Sequence, residues 1–71
     1  MDQPTIQVNG EVEPLGAQKT IEALLAEKAC DTHQRGIAVA LNGAVVPRAS
    51  WPATALNPGD CIEIVRARQG G

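Results

Sequence analysis

The first residues of the chain alternate between polar and apolar side chains. Ile6 and Val8 are separated by a glutamine, and Asn9-Gly10 follows directly. Alternation with a period of two is typical of a strand that buries one face, and Asn-Gly tolerates the positive φ angles of a two-residue type I′ hairpin turn. We therefore predict a β-hairpin whose return strand carries Val12 and Leu15.

A helical period replaces the alternation after Gly16. Thr20 can act as an N-cap, because its hydroxyl can accept a hydrogen bond from a free backbone N–H of the first turn. The polar segment 31–36 ends in Gly36 and is predicted to be the loop that returns the chain to the sheet. Between them, apolar residues recur at spacings of three and four, which predicts one amphipathic helix of about three turns; these residues are Ile21, Leu24, Leu25, Ala29 and Cys30.

Residues 37–41 predict a strand with unequal faces. Large aliphatic residues occupy one face and alanines occupy the other. Asn42-Gly43 repeats the hairpin signal and leads to a further strand containing Val45-Val46. Pro47 cannot donate to a strand ladder, so this strand is predicted to end there and to lie at an edge of the sheet.

The last third of the chain predicts a crossover, a turn and a final strand. The crossover is irregular and contains Trp51 and Leu56, and the sequence Asn-Pro-Gly-Asp at 57–60 is typical of a tight turn. Ile62 and Ile64 then alternate with other residues in the last strand. Residues 66–71 have no apolar face and are predicted to form a mobile tail.

The order of these elements indicates the fold class. A chain of 71 residues holds one small core, so we expect a single domain over 1–71. One helix can cover only one face of a sheet, which indicates an α+β fold with a mixed sheet of four to five strands. The first and last strands carry aliphatic pairs and no proline, so we place them side by side and parallel in the middle of the sheet.

Composition and charge exclude several classes of function. The formal net charge is -2 and the basic residues are scattered, which disfavours a nucleic-acid surface. No segment approaches the roughly 20 apolar residues of a membrane span, and the N-terminus lacks the pattern of a signal peptide. We therefore expect a cytoplasmic protein. Its ordinary content of apolar residues, 44%, indicates that it folds alone, and a small acidic domain with a mobile tail is compatible with a monomer, although the sequence leaves the oligomeric state open.

Candidate catalytic and metal-binding residues are few. Cys30 and Cys61 show no CxxC spacing and no histidine cluster, so we expect both to be buried small hydrophobes, with no metal site. The single histidine, His33, lies in a polar loop without a nucleophile beside it. Glu11 and Glu13 share one face of an edge strand, where carboxylates usually discourage edge pairing rather than catalyse. Since the glycines form no phosphate-binding loop either, no site for substrate chemistry is visible.

The end of the sequence is its most distinctive chemical feature. Gly70-Gly71 places a carboxylate behind two residues that lack a Cβ, on a tail able to reach roughly 20 Å. Such a tail can enter a narrow tunnel, where a partner enzyme could bring the carboxylate to the α-phosphate of ATP and form an acyl-adenylate. A frayed terminus that merely ends in glycine is the alternative, and the tail alone does not decide between the two.

Motifs spread along the chain carry a family resemblance. They are Val8-Asn9-Gly10-Glu11, Leu41-Asn42-Gly43, Val45-Val46-Pro47-Arg48, Trp51, Leu56, Gly59-Asp60, Ile62-Glu63-Ile64-Val65 and Gln69-Gly70-Gly71. In this order and at this length, they resemble the ThiS family of sulfur carrier proteins in thiamine biosynthesis. The resemblance covers nearly the whole chain. It is weakest at 30–36 and at Arg68, a tail position where a small or apolar residue is more usual.

The resemblance implies a fold, a reaction cycle and a set of partners. The fold is a ubiquitin-like β-grasp. A ThiF-type enzyme would adenylate the Gly71 carboxylate with ATP and magnesium, and sulfur from a cysteine desulfurase persulfide would displace AMP to leave a thiocarboxylate. The thiazole synthase ThiG would receive that sulfur. The chain would then be a carrier and not an enzyme, with no bound cofactor of its own.

Partner contacts are expected on the tail and on one face of the sheet. Gly70 keeps the approach to Gly71 slim, and Gln69 precedes it in the tail, while Arg66 and Arg68 either meet carboxylates or the nucleotide on the activating enzyme or are simply solvated. Small side chains on the face opposite the helix would offer a flat, weakly apolar docking patch; they are Ala38, Ala40 and Val65, with Cys61 as a further candidate.

Trp51 is expected in the core or as a lid on the crossover. Arg48 either stacks on its indole or binds a partner, and the sequence does not choose.

Three alternative functions stay open on the sequence. The small subunit of molybdopterin synthase shares the fold and the thiocarboxylate chemistry but serves a different enzyme. A ubiquitin-like modifier would join Gly71 to lysines of other proteins. A binding module with inert terminal glycines would need no activation at all.

Overall fold

Five strands and one α-helix form the part of the chain that the computed structural model describes, which is residues 3–16, 20–28 and 36–66. The elements follow the predicted order. They are β1 (Thr5–Val8), β2 (Glu11–Pro14), α1 (Ile21–Glu27), β3 (Ile37–Leu41), β4 (Ala44–Val46), a 3₁₀ helix (Arg48–Ala53) and β5 (Cys61–Arg66).

The strands form one mixed sheet in the order β2-β1-β5-β3-β4. β1 and β5 are parallel, with Gln7 opposite Cys61 and Val8 opposite Ile62. β3 runs antiparallel to β5, and β4 lies at the edge beyond it. The predicted central pairing of the first and last strands and the predicted edge position of the strand before Pro47 are both confirmed.

Both Asn-Gly dipeptides form the predicted hairpin turns. Asn9 and Gly10 have φ angles of 52° and 85°, and Asn42 and Gly43 have φ angles of 52° and 87°. Two successive positive φ angles define the type I′ turn, whose twist matches that of the flanking strands. Each dipeptide therefore brings two strands into antiparallel register by its local conformation alone.

Helix α1 begins where Thr20 predicts and is shorter than expected. The Thr20 Oγ1 accepts a hydrogen bond from the backbone N–H of Ala23 at 3.1 Å. The helix ends at Glu27, with Lys28 as its C-cap, so it has two turns instead of about three. Ala29, Cys30, His33 and the rest of the predicted loop before Gly36 lie outside the described residues.

The core lies between α1, the 3₁₀ helix and one face of the sheet. Trp51 is 2% exposed, and its Nε1 donates to the backbone carbonyl of Val46 at 2.9 Å. The Arg48 guanidinium lies 4.8 Å from the centroid of the indole, so Arg48 stacks on Trp51. The buried hydrophobic residues are Ile6, Val8, Ile21, Leu24, Leu25, Ile37, Val39, Trp51, Leu56 and Ile62.

Two details of β5 differ from the prediction. Cys61 is exposed, so the expectation that it would be buried is wrong. Side chains alternate along a strand, and Cys61 has the same parity as Glu63 and Val65, which point away from the core. The strand also continues through Arg66, which pairs with Ile37, although Arg66 was predicted to begin the tail.

Within the described ranges, no helix has the length and apolar character needed to cross a membrane.

Candidate functional site

The face of the sheet that points away from α1, called here the outer face, is formed by every second residue of each strand. Ile37 and Val39 are buried against the helix, so Ala38 and Ala40 point to the outer face. In the register of β3 and β5, Ala38 lies opposite Val65 and Ala40 lies opposite Glu63. Side chains of the other strands extend the face, namely Val12, Gln7, Cys61 and Val45.

Valine side chains on the outer face are largely exposed. Val12 is 65% exposed, Val45 is 76% exposed and Val65 is 59% exposed. Ala38 is also exposed, and Ala40 is half-buried. The predicted docking patch of Ala38, Ala40 and Val65 is therefore brought together across two neighbouring strands, and an accessible apolar surface of this kind suits contact with a protein partner.

Arg66 does not join this patch. It has the same parity in β5 as Ile62 and Ile64, so its side chain lies on the helix side of the sheet. There it lines a cleft together with Glu11, Glu13 and Lys28. The structure thus separates two groups of predicted partner-binding residues, with Arg66 on one face and the docking patch on the other.

Glu11 and Glu13 share the helix side of β2, as their alternation predicts, and Val12 takes the outer face instead. The Glu13 Oε2 accepts a hydrogen bond from Lys28 Nζ at 2.6 Å. This ion pair joins the C-cap of α1 to the edge strand. The side chain of Glu13 is accordingly used in a structural contact between two elements.

Strand β5 is held on both sides by asparagine side chains. The Asn9 carboxamide accepts from the backbone N–H of Ile64 at 2.8 Å and donates to the Ile64 carbonyl at 3.3 Å. The Asn42 carboxamide accepts from the backbone N–H of Cys61 at 2.9 Å and donates to Asp60 Oδ1 at 3.1 Å. The sequence revealed the two turns but not these contacts, because nothing in a turn motif shows which distant strand its side chain reaches.

Metal-binding side chains are not clustered in the described part of the chain. Among those residues, no three His, Cys, Asp or Glu side chains are grouped so that they could hold a metal ion. The exposed thiol of Cys61 lies 3.7 Å from Gln7 Oε1. Of the predicted tail, Arg68, Gln69, Gly70 and Gly71 lie outside the described residues.

Comparison with known proteins places this fold in a family. A profile of the ThiS family matches residues 6–71. A protein named thiazole synthase from Paramagnetospirillum magneticum (strain ATCC 700264 / AMB-1) is 42% identical over 64 residues, covering 90% of this chain and 19% of that protein. The chain thus spans about a fifth of the length of this curated relative.

A solved structure shows the same fold. The crystal structure of the thiamine biosynthesis protein ThiS from Geobacter metallireducens superposes with a TM-score of 0.76 at 26% identity, covering 94% of this chain and 99% of that one. The mixed sheet with one helix across it is accordingly the ubiquitin-like β-grasp that the resemblance implied. Since the family profile covers nearly all of the sequence and the fold agrees, the chain belongs to the ThiS family of sulfur carrier proteins.

Proposed function

We propose that this chain carries sulfur for the synthesis of the thiazole of thiamine, with the sulfur held as a thiocarboxylate on Gly71. The observation that carries the proposal is the family match over residues 6–71, which includes both the sheet and the closing Gln69, Gly70 and Gly71. The proposal requires a free carboxylate at Gly71. Turnover belongs to partner enzymes, because the chain itself supplies a carboxylate, an approach whose last two residues lack a Cβ, and a docking surface.

The first step is activation of the Gly71 carboxylate by a ThiF-type enzyme. A carboxylate oxygen attacks the α-phosphate of ATP, pyrophosphate leaves, and an acyl-adenylate forms. ATP and magnesium are bound by the activating enzyme. Gly70 and Gly71 lack a Cβ, so the backbone can pass through a narrow channel and the activated carbonyl stays open to attack.

The second step replaces AMP by sulfur. The outer sulfur of a cysteine desulfurase persulfide attacks the carbonyl carbon, and AMP leaves with the bonding electron pair of its C–O bond. The thiolate of a second thiol then attacks the cysteine sulfur of the resulting S–S bond. A disulfide forms between this thiol and the desulfurase cysteine, and the thiocarboxylate leaves with the electron pair of the broken bond. Its sulfur is anionic and nucleophilic at neutral pH, and it stays attached to a protein that can present it to an acceptor.

In this proposal, the docking patch holds a bound partner close to the tail. Val65 is next to Arg66, the last residue of β5, and five residues separate Arg66 from the end of Gly71. Five extended residues span at most roughly 17 Å. A partner that covers Ala38, Ala40 and Val65 is therefore within reach of the carboxylate. One binding event then provides both the apolar contact and access to the reacting group.

The proposed acceptor is the thiazole synthase ThiG. In Paramagnetospirillum magneticum, a segment similar to this chain is part of a protein named thiazole synthase. This association supports a thiazole synthase as the acceptor of sulfur from the present chain. We also propose a cytoplasmic location, because the cycle consumes ATP and needs thiols kept reduced.

Intact-protein mass spectrometry tests the proposal. The chain ending at Gly71 is incubated with its cognate ThiF-type enzyme, ATP, magnesium, cysteine and a desulfurase. The expected product gains the mass that replaces one oxygen by sulfur, and fragmentation places that gain on Gly71. An active enzyme that leaves the mass unchanged contradicts the proposal.

A second reaction identifies the acceptor. The thiocarboxylate form is mixed in turn with a thiazole synthase and with a molybdopterin synthase large subunit, and loss of the added mass is followed. Loss with the thiazole synthase alone is expected. Loss only with the other enzyme refutes the thiamine assignment and keeps the carrier chemistry.

A further inference from the structure

The side chain of Asn9 completes the contact between β1 and β5 after the backbone of β1 has turned away. The backbone pairing ends at Val8 opposite Ile62, and the backbone N–H of Asn9 donates to the Ile62 carbonyl at 2.9 Å. Two residues further along β5, the Asn9 carboxamide pairs with both the N–H and the C=O of Ile64. The Asn9 side chain thus makes the two hydrogen bonds that the backbone of a further β1 residue would make.

This contact lies close to the point where the chain leaves the sheet. Ile64 is two residues before the end of β5 at Arg66, whereas the Asn42 contacts with Asp60 and Cys61 lie at the beginning of the strand. The two asparagines are otherwise alike. Each precedes a glycine, each has a φ of 52°, and each makes two carboxamide hydrogen bonds to β5 or the turn before it.

We propose that Asn9 is a positioning residue, which sets the direction in which the chain leaves β5 toward Gly71. The inference rests on the proposed function, since it assigns a role in the activation of that carboxylate. Within the described residues, the carboxamide of Asn9 contacts the backbone of Ile64. It acts through the backbone of Ile64, by holding the end of β5 on the side where β1 no longer can.

Strand β5 is paired with β1 along one edge and with β3 along the other. From Ile64 to Arg66, the register of β5 with β3 continues through Val39, Ala38 and Ile37. Without the Asn9 carboxamide, the N–H and C=O of Ile64 turn to water on the β1 side, and the end of the strand loses two of the hydrogen bonds that fix its position. The five residues that end in the carboxylate start from Arg66, so a shift of the strand end moves the point from which the carboxylate must reach the active site of an enzyme bound to the sheet. A displacement of about 1 Å at reacting atoms can cost roughly a hundredfold in rate.

Asn9→Gly and its matched control Asn42→Gly test the proposal. Glycine adopts the positive φ of either turn without strain, so each variant keeps its hairpin and loses only the carboxamide contacts. Amide hydrogen exchange locates the effect on the backbone. Exchange at Ile64 is expected to accelerate at least tenfold in Asn9→Gly, and exchange at Cys61 is expected to accelerate in Asn42→Gly.

Steady-state adenylation by the cognate ThiF-type enzyme separates positioning from stability. Both variants are assayed at a temperature where circular dichroism shows them folded. For Asn9→Gly we expect kcat to fall about tenfold or more with KM unchanged, because the outer face is untouched and only delivery of the tail is impaired. For Asn42→Gly we expect both constants to match the original chain.

Other results of these assays contradict either the role of Asn9 or the proposed function. Equal values of kcat for Asn9→Gly and the original chain overturn the proposal, and so does an equal loss of kcat in both variants, which indicates a stabilising role only. If Asn9→Gly does not fold, Asn9→Asp replaces it, since this variant keeps the acceptor and loses the donor; full kcat in Asn9→Asp overturns the proposal. If the original chain is not adenylated, the proposed function itself fails, and the role of Asn9 falls with it.

Discussion

The docking patch makes a quantitative prediction for Val65→Thr. Threonine has nearly the shape of valine and an equal preference for strands, and Val65 is 59% exposed, so the free energy of unfolding is expected to change by less than about 0.5 kcal/mol. When a partner covers the patch, the new hydroxyl is buried without a designed hydrogen-bond acceptor. Burial of such a group costs about 1–3 kcal/mol in proteins.

That cost appears as weaker binding of the activating enzyme. Since about 1.4 kcal/mol corresponds to a factor of ten, KM for the carrier is expected to rise roughly five- to hundredfold. The catalytic constant kcat is expected to stay unchanged, because the tail and its attachment to β5 are intact. The assay is the initial rate of pyrophosphate release at increasing carrier concentration.

Val12→Thr provides the matched control. Val12 is 65% exposed on the same face, but it lies on β2, with β1 between that strand and β5. Two strand spacings amount to roughly 10 Å, which places it outside the docking patch. A KM for Val65→Thr equal to that of the original chain refutes the assignment of the patch. An equal rise in KM for both variants shows that contact extends over the whole outer face and is not centred on Val65.

Three further substitutions test the tail, the core and the helix start. Gly71→Ala is expected to leave the urea midpoint unchanged and to lower adenylation roughly tenfold or more, since the added methyl group crowds the activated carbonyl; an unchanged rate contradicts the role of Gly71. Trp51→Phe removes the hydrogen bond from the indole N–H to the Val46 carbonyl and opens a small cavity, so a loss of about 2–3 kcal/mol in the free energy of unfolding is expected. An unchanged urea midpoint would show that the indole N–H contributes nothing. Thr20→Ala removes the N-cap acceptor of Ala23 and is expected to cost about 1 kcal/mol, whereas Thr20→Ser should retain most of that stability.

Local signals predicted most of the sheet. Asn9-Gly10 and Asn42-Gly43 specify their turns through the backbone angles they tolerate, which is a property of two residues and needs no distant contact. Pro47 indicated an edge strand because it lacks a donor. The central position of β5 followed from its aliphatic residues, since the middle strands of a sheet covered by a helix are the most buried.

The sequence did not predict the contacts between distant segments. The exposure of Cys61 was in principle visible, because it alternates in step with Glu63, but the apolar preference of cysteine outweighed that pattern. The separation of Arg66 from the docking patch depends on β5 continuing for one more residue than predicted. The pairing of Asn9 with Ile64 joins positions 55 residues apart, and no local pattern encodes it.

The place of β5 in the sheet also bears on how the protein is made. β1 lies next to a strand that begins more than fifty residues later, at Cys61. At synthesis rates of roughly 5–20 residues per second, β1 waits about 3–11 s for its neighbour, and the aliphatic side chains of the growing chain have no complete core to enter during that time. The sheet is complete only after β5, its central strand, has been synthesised. Folding therefore occurs late and depends on contacts between residues that are distant in sequence. The segment that leads to Gly71 directly follows this strand, so under the proposed function an activating enzyme that bound the completed sheet would select fully folded carriers.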